Sequence, residues 1–394
     1  MTRAARFIEP ASPRSALIFS VITLILVPML IAWRGDARGE VRIDEAAKIS
    51  ESAFFPLWLH HDWRNPAWTA DIVDRSNPPV GKYLFGLSIV LSGQRVPDLP
   101  TLSIYAGDGL VPPLFPPELS RPYERFLPAT RRVAIVCTVL TAGIIVWCAA
   151  RVAGLIAAAI ALTLFLMHFL TRVYGATAIF DPILTMFATM LLAIAAASAD
   201  ARTRTRFIAF MIAAGVVGGL AFQTRLNGLL FFAVTLLVAL ARTRPVSDAI
   251  MGTGSSAAAF AIVTLAVNPY YWPNPVARFA GQISDLRNLL ARCGGRLTTP
   301  GAKLRYAWEV VCGDLSGLLL LFAAMAGVIA LVIRWRTLSD RARIVGLWSV
   351  MTVVAFVMWI PVPVPRYLLV TIPPLCCLTA LGWGGAVALV KATK

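Results

Sequence analysis

The chain of 394 residues is 58% hydrophobic and only 14% charged, with a net charge of +16 and a mean hydropathy of +0.74. Soluble domains carry roughly 25% charged residues, so this composition excludes a water-soluble globular protein and a disordered chain. The positive charge is spread over short segments between apolar runs, so we expect no nucleic-acid partner.

Uncharged apolar runs of about 20 residues, the length that crosses a bilayer, recur along the chain. We predict ten membrane spans, in residues 15–33, 133–150, 152–171, 182–199, 207–224, 226–241, within 249–277, 315–333, 344–365 and 367–390. The apolar segment 83–94 has only 12 residues and is predicted to be a helix lying at the membrane interface. The chain is therefore predicted to be an all-α polytopic membrane protein with a single domain over residues 1–394.

Basic residues indicate the orientation of these spans. With both termini in the cytoplasm, the inside segments carry 15 Lys and Arg against 4 acidic residues, and the outside segments carry 21 against 16. We therefore expect an inner (plasma) membrane protein with cytoplasmic N- and C-termini. Two long segments, 34–132 and 268–314, then form periplasmic loops. The Pro- and Trp-rich first loop is expected to contain interfacial helices, and no soluble C-terminal domain is expected.

The six cysteines divide by their depth in the membrane. Cys137, Cys148, Cys376 and Cys377 lie in predicted spans and are interpreted as small apolar residues. Cys293 and Cys312 share the second outer loop, and we hypothesise a disulfide between them if this loop faces an oxidising compartment.

An acidic pair, Asp44 and Glu45, follows the first span. Taken alone, the pair is interpreted as solvated loop charge or as a general base. The many cations predicted on the same face of the membrane favour the second interpretation.

Cations also stand in three short outer turns, where the distribution of basic residues disfavours them. Charges at membrane depth are costly and usually mark function; the alternative for a single Arg is snorkelling to lipid phosphates. The cations of these turns are Arg172, Arg225 and Arg366, and the polar residues beside them are Asp181, Asn227 and Tyr367; a further cation, Lys82, lies in the first long loop.

One carboxylate facing several cations suits transfer of a sugar from a lipid phosphate. The leaving group is already a phosphate anion, so cations that stabilise its developing charge are needed and a general acid is not. The carboxylate takes a proton from the incoming hydroxyl or amine. Displacement from the opposite face inverts the anomeric centre, by the geometric logic of inverting glycosidases.

Six segments occur in the order seen in a known family. They are the acidic pair 44–45, NPPVGK at 77–82, the Arg-then-Asp turn at 172–182, GLAFQTRLNG at 219–228, NPYYWPNP at 268–275 and the Arg-Tyr…Pro-Pro segment at 366–374. In these segments the sequence resembles the membrane-embedded C-type glycosyltransferases (GT-C fold). The branch it resembles is glycosyltransferase family 39, which comprises the protein O-mannosyltransferases and the bacterial lipid A aminoarabinose transferases.

The resemblance implies an inverting enzyme that takes a sugar from a polyprenyl-phosphate-linked donor. The acceptor would be a periplasmic-side glycolipid, polysaccharide or protein, so protein glycosylation and lipopolysaccharide modification are both expected classes. Asp44 would be the base, and Glu45 would support it or bind the acceptor. The resemblance assigns the lipid phosphate to Lys82, Arg172, Arg225 and Arg366, with Asp181, Asn227 and Tyr367 in supporting positions. No cofactor is predicted, and a divalent metal is left open.

Departures from the family pattern leave the donor sugar and the acceptor open. Asn77 stands where the family has a basic residue, and Arg225 stands where it usually has Lys. Three other interpretations remain: a transporter or flippase of lipid-linked sugars, a non-catalytic membrane protein, and a lipid-phosphate transferase. Transporters tend to place ionisable residues near the midplane, whereas here the charges lie at one interface.

Overall fold

The computed structural model describes residues 10–33, 43–70, 77–98, 117–240, 245–292 and 297–392. Every regular element within these ranges is helical, which confirms the predicted all-α class. The longer helices are α1 (Pro13–Trp33), α7 (Leu127–Ala153), α8 (Leu155–Met167), α10 (Asp181–Ser198), α11 (Arg204–Phe222), α12 (Gly228–Leu240), α13 (Val246–Val267), α16 (Leu315–Ile333), α17 (Asp340–Trp359) and α18 (Ile372–Ala392).

The two long loops contribute shorter helices. The first loop contains α2 (Ile43–Ser50), α3 (Phe54–Leu59), α4 (Ala67–Ala70), α5 (Val80–Leu91) and α6 (Pro117–Glu124), and the second contains α14 (Pro275–Arg292) and α15 (Pro300–Val311). A further short helix, α9 (Phe169–Tyr174), follows α8, and a 3₁₀ segment, Pro365–Thr371, precedes α18. The predicted helix at 83–94 is thus present as α5, which packs against α7.

Within the described residues, seven helices are long and apolar enough to cross a membrane. They are Leu127–Ala153, Asp181–Ser198, Arg204–Phe222, Val246–Val267, Leu315–Ile333, Asp340–Trp359 and the continuous segment Pro365–Val387. Apolar helices α1, α8 and α12 occupy the positions of the other three predicted spans, and the total of ten stays a prediction.

The predicted span 152–171 is wrong as one continuous helix, because it breaks at His168. His168 has an extended backbone (φ −62°, ψ 131°), and its Nδ1 accepts a hydrogen bond from the backbone N–H of Leu170, which caps α9. Its Nε2 lies 3.1 Å from the carbonyl oxygen of Val311. The fully buried ring is therefore satisfied on both nitrogens.

Helix α10 lies at the centre of the bundle and positions the site. It packs against α7, α11, α12 and the segment Pro365–Thr371. It begins at Asp181 with Pro182 in its first turn, where the missing N–H and fixed φ of proline suit a helix start. The first turn of α10 therefore meets the turn after α11 and the 3₁₀ segment, and the residues just before α10 contact the first long loop.

The outer helices keep apolar side chains exposed, as membrane-facing helices do. Phe322 on α16 is 70% exposed and Ile262 on α13 is 67% exposed, whereas Trp348 on α17 is fully buried and donates through Nε1 to Thr235 at 3.0 Å. Polar contacts are thus kept inside the bundle and apolar side chains face outward, which is the arrangement of a multi-pass membrane protein.

Candidate functional site

Asp44 and Arg366 form an ion pair between the first long loop and the last span. Asp44 lies in the first turn of α2. Arg366 follows Pro365 in the 3₁₀ segment, and its Nη1 donates to Asp44 Oδ2. The Asp44 side chain is 29% exposed and that of Arg366 is 15% exposed, so the pair remains accessible to a ligand.

The pair continues into a chain of alternating charge. Asp181 Oδ2 accepts a hydrogen bond from Arg225 Nη2 at 2.9 Å and lies 3.7 Å from Arg366 Nε. The Asp181 carboxylate is only 4% exposed, and a buried carboxylate requires such partners. We call Asp44, Arg366, Asp181 and Arg225 the ion-pair chain.

Tyr367 lies against both guanidinium groups of this chain. Its ring centroid is 5.0 Å from the Cζ of Arg225 and 5.6 Å from the Cζ of Arg366. Both distances are within the range of cation–π attraction. The ring therefore helps to hold two like charges side by side.

Glu45, the neighbour of Asp44, has different partners. Arg131 donates to it through Nε at 2.8 Å and Nη2 at 2.7 Å, and the backbone N–H of Ala178 donates at 2.8 Å. Glu45 is fully buried. The contacts fasten α2 to α7 and to the turn before α10, so Glu45 positions the helix that carries Asp44.

A second buried cluster lies on the next turns of the same loop. Glu51 Oε1 accepts from Lys48 at 2.5 Å and from the Asn77 amide at 3.4 Å, and Glu51 Oε2 lies 3.5 Å from Lys82 Nζ. Lys48 Nζ is also 5.1 Å from the ring of Phe180, the residue before Asp181. We call Lys48, Glu51 and Lys82 the lysine cluster.

Sequence reasoning missed Lys48 and Glu51 of the lysine cluster. The spacing 44, 48 and 51 places charged residues on one face of a helix, which is the signal that could have identified them. Arg131, the partner of Glu45, gave no local signal, because it lies near the start of an apolar span.

Arg172 lies outside the ion-pair chain in this structure. Its side chain is 49% exposed, and Nη2 lies 3.3 Å from Asp314 Oδ2. Burial raises the pKa of Asp314, but hydrogen bonds from Ser316 and Gly317 and the positive charge of Arg172 outweigh it, so this pKa lies below its ordinary value. Helix α9, which carries Arg172, packs against the 3₁₀ segment of Arg366.

Several buried polar atoms near Arg366 and Arg225 have no hydrogen-bond partner among the described residues. They are the Tyr306 hydroxyl, Asn227 Oδ1 and Arg225 Nε. Tyr306, on α15, interacts electrostatically with Tyr174, Tyr367 and Arg366. Burial raises the pKa of Tyr306, and the neighbouring tyrosines raise it further, so its hydroxyl stays a hydrogen-bond donor.

Three of the six sequence segments meet beside this site. The backbone N–H of Val80 donates to the Gln223 carbonyl at 2.8 Å, and Asn268 Nδ2 donates to the Gln223 side chain at 2.9 Å. The Tyr83 hydroxyl donates to the Val267 carbonyl at 3.1 Å. Segments 77–82, 219–228 and 268–275 are therefore joined by direct hydrogen bonds.

Two sequence hypotheses concern other side chains. Cys293 lies outside the described residues, so its disulfide with Cys312 stays a prediction. The second is the metal left open above: within the described ranges, no three His, Cys, Asp or Glu side chains are grouped closely enough to hold a metal ion.

Comparison with known proteins identifies the fold. No protein-family model and no curated protein matches the chain. The crystal structure of ArnT from Cupriavidus metallidurans in the apo state matches with a TM-score of 0.57 at 17% identity, and the structure of the same protein bound to undecaprenyl phosphate matches with 0.56 at 18%. Each match covers 95% of this chain and 63% of the ArnT chain. The chain therefore has the fold of ArnT, which confirms the predicted GT-C fold.

Proposed function

We propose that this protein is an integral-membrane, inverting glycosyltransferase with a polyprenyl-phosphate-linked sugar donor. The acceptor would be a glycolipid, a polysaccharide or a protein at the periplasmic face of the inner membrane. The observation that carries the proposal is the ion-pair chain, in which the accessible carboxylate of Asp44 pairs with Arg366 and the buried Asp181 holds Arg366 beside Arg225. The ArnT fold, and the undecaprenyl phosphate bound in one ArnT structure, support a lipid donor.

The phosphate of the donor would bind at Arg366 and Arg225. Their guanidinium groups carry planar donors that suit phosphate oxygens, and the unpartnered Nε of Arg225 adds a further donor. The two other cations proposed for the phosphate are Lys82, which pairs with Glu51, and Arg172, which pairs with Asp314. Each of these would have to share or exchange its carboxylate partner to reach the phosphate.

Donor binding would change the partner of Asp44. A phosphate on Arg366 competes with the carboxylate for the same Nη1 donor. Once displaced, Asp44 is a carboxylate ready to accept a proton. The exchange couples arrival of the donor to activation of the base.

The reaction would then proceed by one displacement. The acceptor oxygen or nitrogen bonds to the anomeric carbon while the bond from that carbon to the phosphate oxygen breaks. The electron pair of the breaking bond stays on the phosphate, where Arg366 and Arg225 stabilise it. The acceptor proton moves to Asp44 and later leaves to water. Attack and departure on opposite faces invert the anomeric centre.

Other side chains would orient these groups. Asp181 and Tyr367 hold the two guanidinium groups in place. Asn227 Oδ1 and the Tyr306 hydroxyl, which have no hydrogen-bond partner among the described residues, are proposed to bind polar groups of the donor. Glu45 supports Asp44 by fixing α2 to Arg131.

The test is a deletion strain complemented with wild-type protein or with Asp44→Asn. Mass spectrometry of envelope lipids, polysaccharides and proteins should reveal one sugar modification that is lost on deletion and restored by the wild-type gene only. The lost modification identifies the donor sugar, and the molecule that carried it identifies the acceptor. Normal modification with Asp44→Asn, at equal protein level in the membrane, would contradict a base at Asp44 and favour the transporter interpretation.

A further inference from the structure

A cluster of buried arginines lies at the end of the bundle opposite Asp44. Helix α10 begins in the ion-pair chain at Asp181 and has 18 residues, so its other end is ~27 Å away. Just beyond that end, Asp200 Oδ2 forms an ion pair with Arg341 Nη2 and lies 3.6 Å from Arg151 Nη2. We call Arg151, Asp200 and Arg341 the arginine cluster.

The charges of this cluster do not balance. The Arg341 and Arg151 side chains are 10% and 14% exposed, whereas the Asp200 side chain is 56% exposed. Two largely buried positive charges therefore share one carboxylate whose side chain is more than half exposed, and Arg151 Nη1 also donates to the Ala11 carbonyl at 2.9 Å. Buried charges without full compensation are costly.

Arg341 also has an unused donor. Its Nε is buried and has no hydrogen-bond partner among the described residues, and the residue as a whole is only 9% exposed. Because a guanidinium cannot lose its proton at physiological pH, the donor cannot be removed by titration. An anion beside Arg341 would satisfy both the charge and the Nε donor.

A third guanidinium, that of Arg334, lies at the end of α16 on the same side of the bundle. Arg334 Nη1 donates to the Gly384 carbonyl at 3.1 Å. Gly384 faces Ala153 so closely that a Cβ on it would lie 3.2 Å from the Ala153 side chain. Ala153 is the last residue of α7, so the end of α16 adds a positive charge near the same end of α7 that carries Arg151.

The surroundings indicate that this place lies at the depth of lipid headgroups. Val332 and Ile333, directly before Arg334, are 70% and 77% exposed. Trp335 follows, with 43% exposure, and its ring centroid is 5.8 Å from the Cζ of Arg343. Exposed aliphatic residues that give way to Trp and Arg are typical of the boundary between hydrocarbon and headgroups.

We propose that the arginine cluster binds the phosphate of an acidic phospholipid of the phosphatidylglycerol class. Arg341 and Arg151 would hold the phosphate oxygens beside Asp200, and the acyl chains would lie along the exposed apolar side chains at the end of α16. Basic pockets between membrane helices are known to favour acidic headgroups. The adjoining apolar surface favours a lipid over a soluble phosphate as the occupant.

The experiment measures lipid binding to the purified, delipidated full chain by native mass spectrometry. The probes are phosphatidylglycerol, phosphatidylcholine with the same acyl chains, and inorganic phosphate. We expect phosphatidylglycerol to bind roughly tenfold more tightly than phosphatidylcholine, the effect of about one charge-assisted interaction. Equal binding of the two lipids would overturn the proposal, and so would inorganic phosphate that blocks phosphatidylglycerol at an equal concentration, because the site would then be one for soluble anions.

Single substitutions distinguish a lipid-binding site from an ion pair that only stabilises the fold. Arg341→Gln should weaken phosphatidylglycerol binding about tenfold. The control is Arg206→Gln, which changes an exposed arginine in the first turn of α11 at the same end of the bundle and should alter binding less than about twofold. An equal loss in both variants would indicate diffuse surface charge and overturn the proposal.

Binding of phosphatidylglycerol to Asp200→Asn is a second measurement, which tests the proposal even if Arg341→Gln fails to fold. Because this substitution removes the carboxylate that competes with the phosphate, it should strengthen phosphatidylglycerol binding. A purely structural bridge predicts unchanged or weaker binding instead, and that result would overturn the proposal.

Discussion

Arg366 donates a hydrogen bond to Asp44 across a separation of 322 residues in the sequence. The contact exists only when the first loop is docked on the start of the last span. Arg366 also lies 3.7 Å from the buried Asp181, so its guanidinium lies between two carboxylates. The ion pair therefore forms only when the first loop and the last span are packed together. It is also the contact that a donor phosphate would disturb.

Asp44→Asn should abolish transfer without unfolding the protein. Loss of a general base typically lowers a rate by about 10²–10⁴-fold, while loss of a partly exposed ion pair costs only about 0–1 kcal/mol of unfolding free energy. The measurements are sugar transfer by the purified protein and its thermal unfolding. Asp62→Asn, an exposed aspartate in the same loop, is the control and should retain transfer; an Asp44→Asn enzyme as fast as this control would exclude the base assignment.

Glu45→Gln should lower the free energy of unfolding of the protein. The change leaves Arg131 buried beside a neutral partner, and breaking such a buried pair costs about 3–5 kcal/mol. Thermal unfolding should therefore shift strongly, whereas Glu124→Gln, at an exposed position, should shift by less than about 0.5 kcal/mol. Unchanged stability with lost transfer would instead assign Glu45 a direct contact with the acceptor.

Arg366→Gln and Arg172→Gln should differ in their effect on donor-lipid binding. Arg366 belongs to the ion-pair chain, so its loss should weaken binding of undecaprenyl phosphate by about tenfold or more. Arg172 is half exposed and pairs with Asp314, so its loss should weaken binding by less than about threefold. Equal losses, measured on the purified protein, would show that Arg172 leaves Asp314 to bind the phosphate.

Tyr306→Phe should lower transfer while leaving stability unchanged or slightly higher. The variant removes a buried hydroxyl with no hydrogen-bond partner among the described residues, and deleting an unsatisfied polar group does not destabilise a protein. A loss of roughly tenfold in transfer corresponds to one hydrogen bond to substrate.

The Tyr306 contribution should not depend on pH in the neutral range. Burial raises the pKa of Tyr306 above its ordinary value, so the neutral, donating phenol is retained as the pH rises to that ordinary value of about 10. The ratio of wild-type to Tyr306→Phe rates should therefore be flat between about pH 6 and 9. Full transfer activity of Tyr306→Phe would show that the Tyr306 hydroxyl does not bind the substrate.

The sequence predicted the helical class, the long loops and most of the helices, because apolar runs of membrane length leave little choice of structure. It did not predict the break at His168, which no Gly or Pro marks in the segment 155–173. At the break, the carbonyl of Val311 contacts the His168 ring from the second loop. Contacts made by distant segments leave no local pattern.

The same distinction holds for the site. The sequence pointed to Asp44, Arg225 and Arg366 as candidates, and its resemblance to a known family suggested the GT-C fold. They could not assign partners, because Asp44 and Glu45 are consecutive on a helix and successive side chains point about 100° apart. Only tertiary packing decided that one carboxylate faces Arg366 in a partly open site and that the other is buried against Arg131. The sign of each charge follows from the residue type, but the distance between two charges depends on how the helices pack.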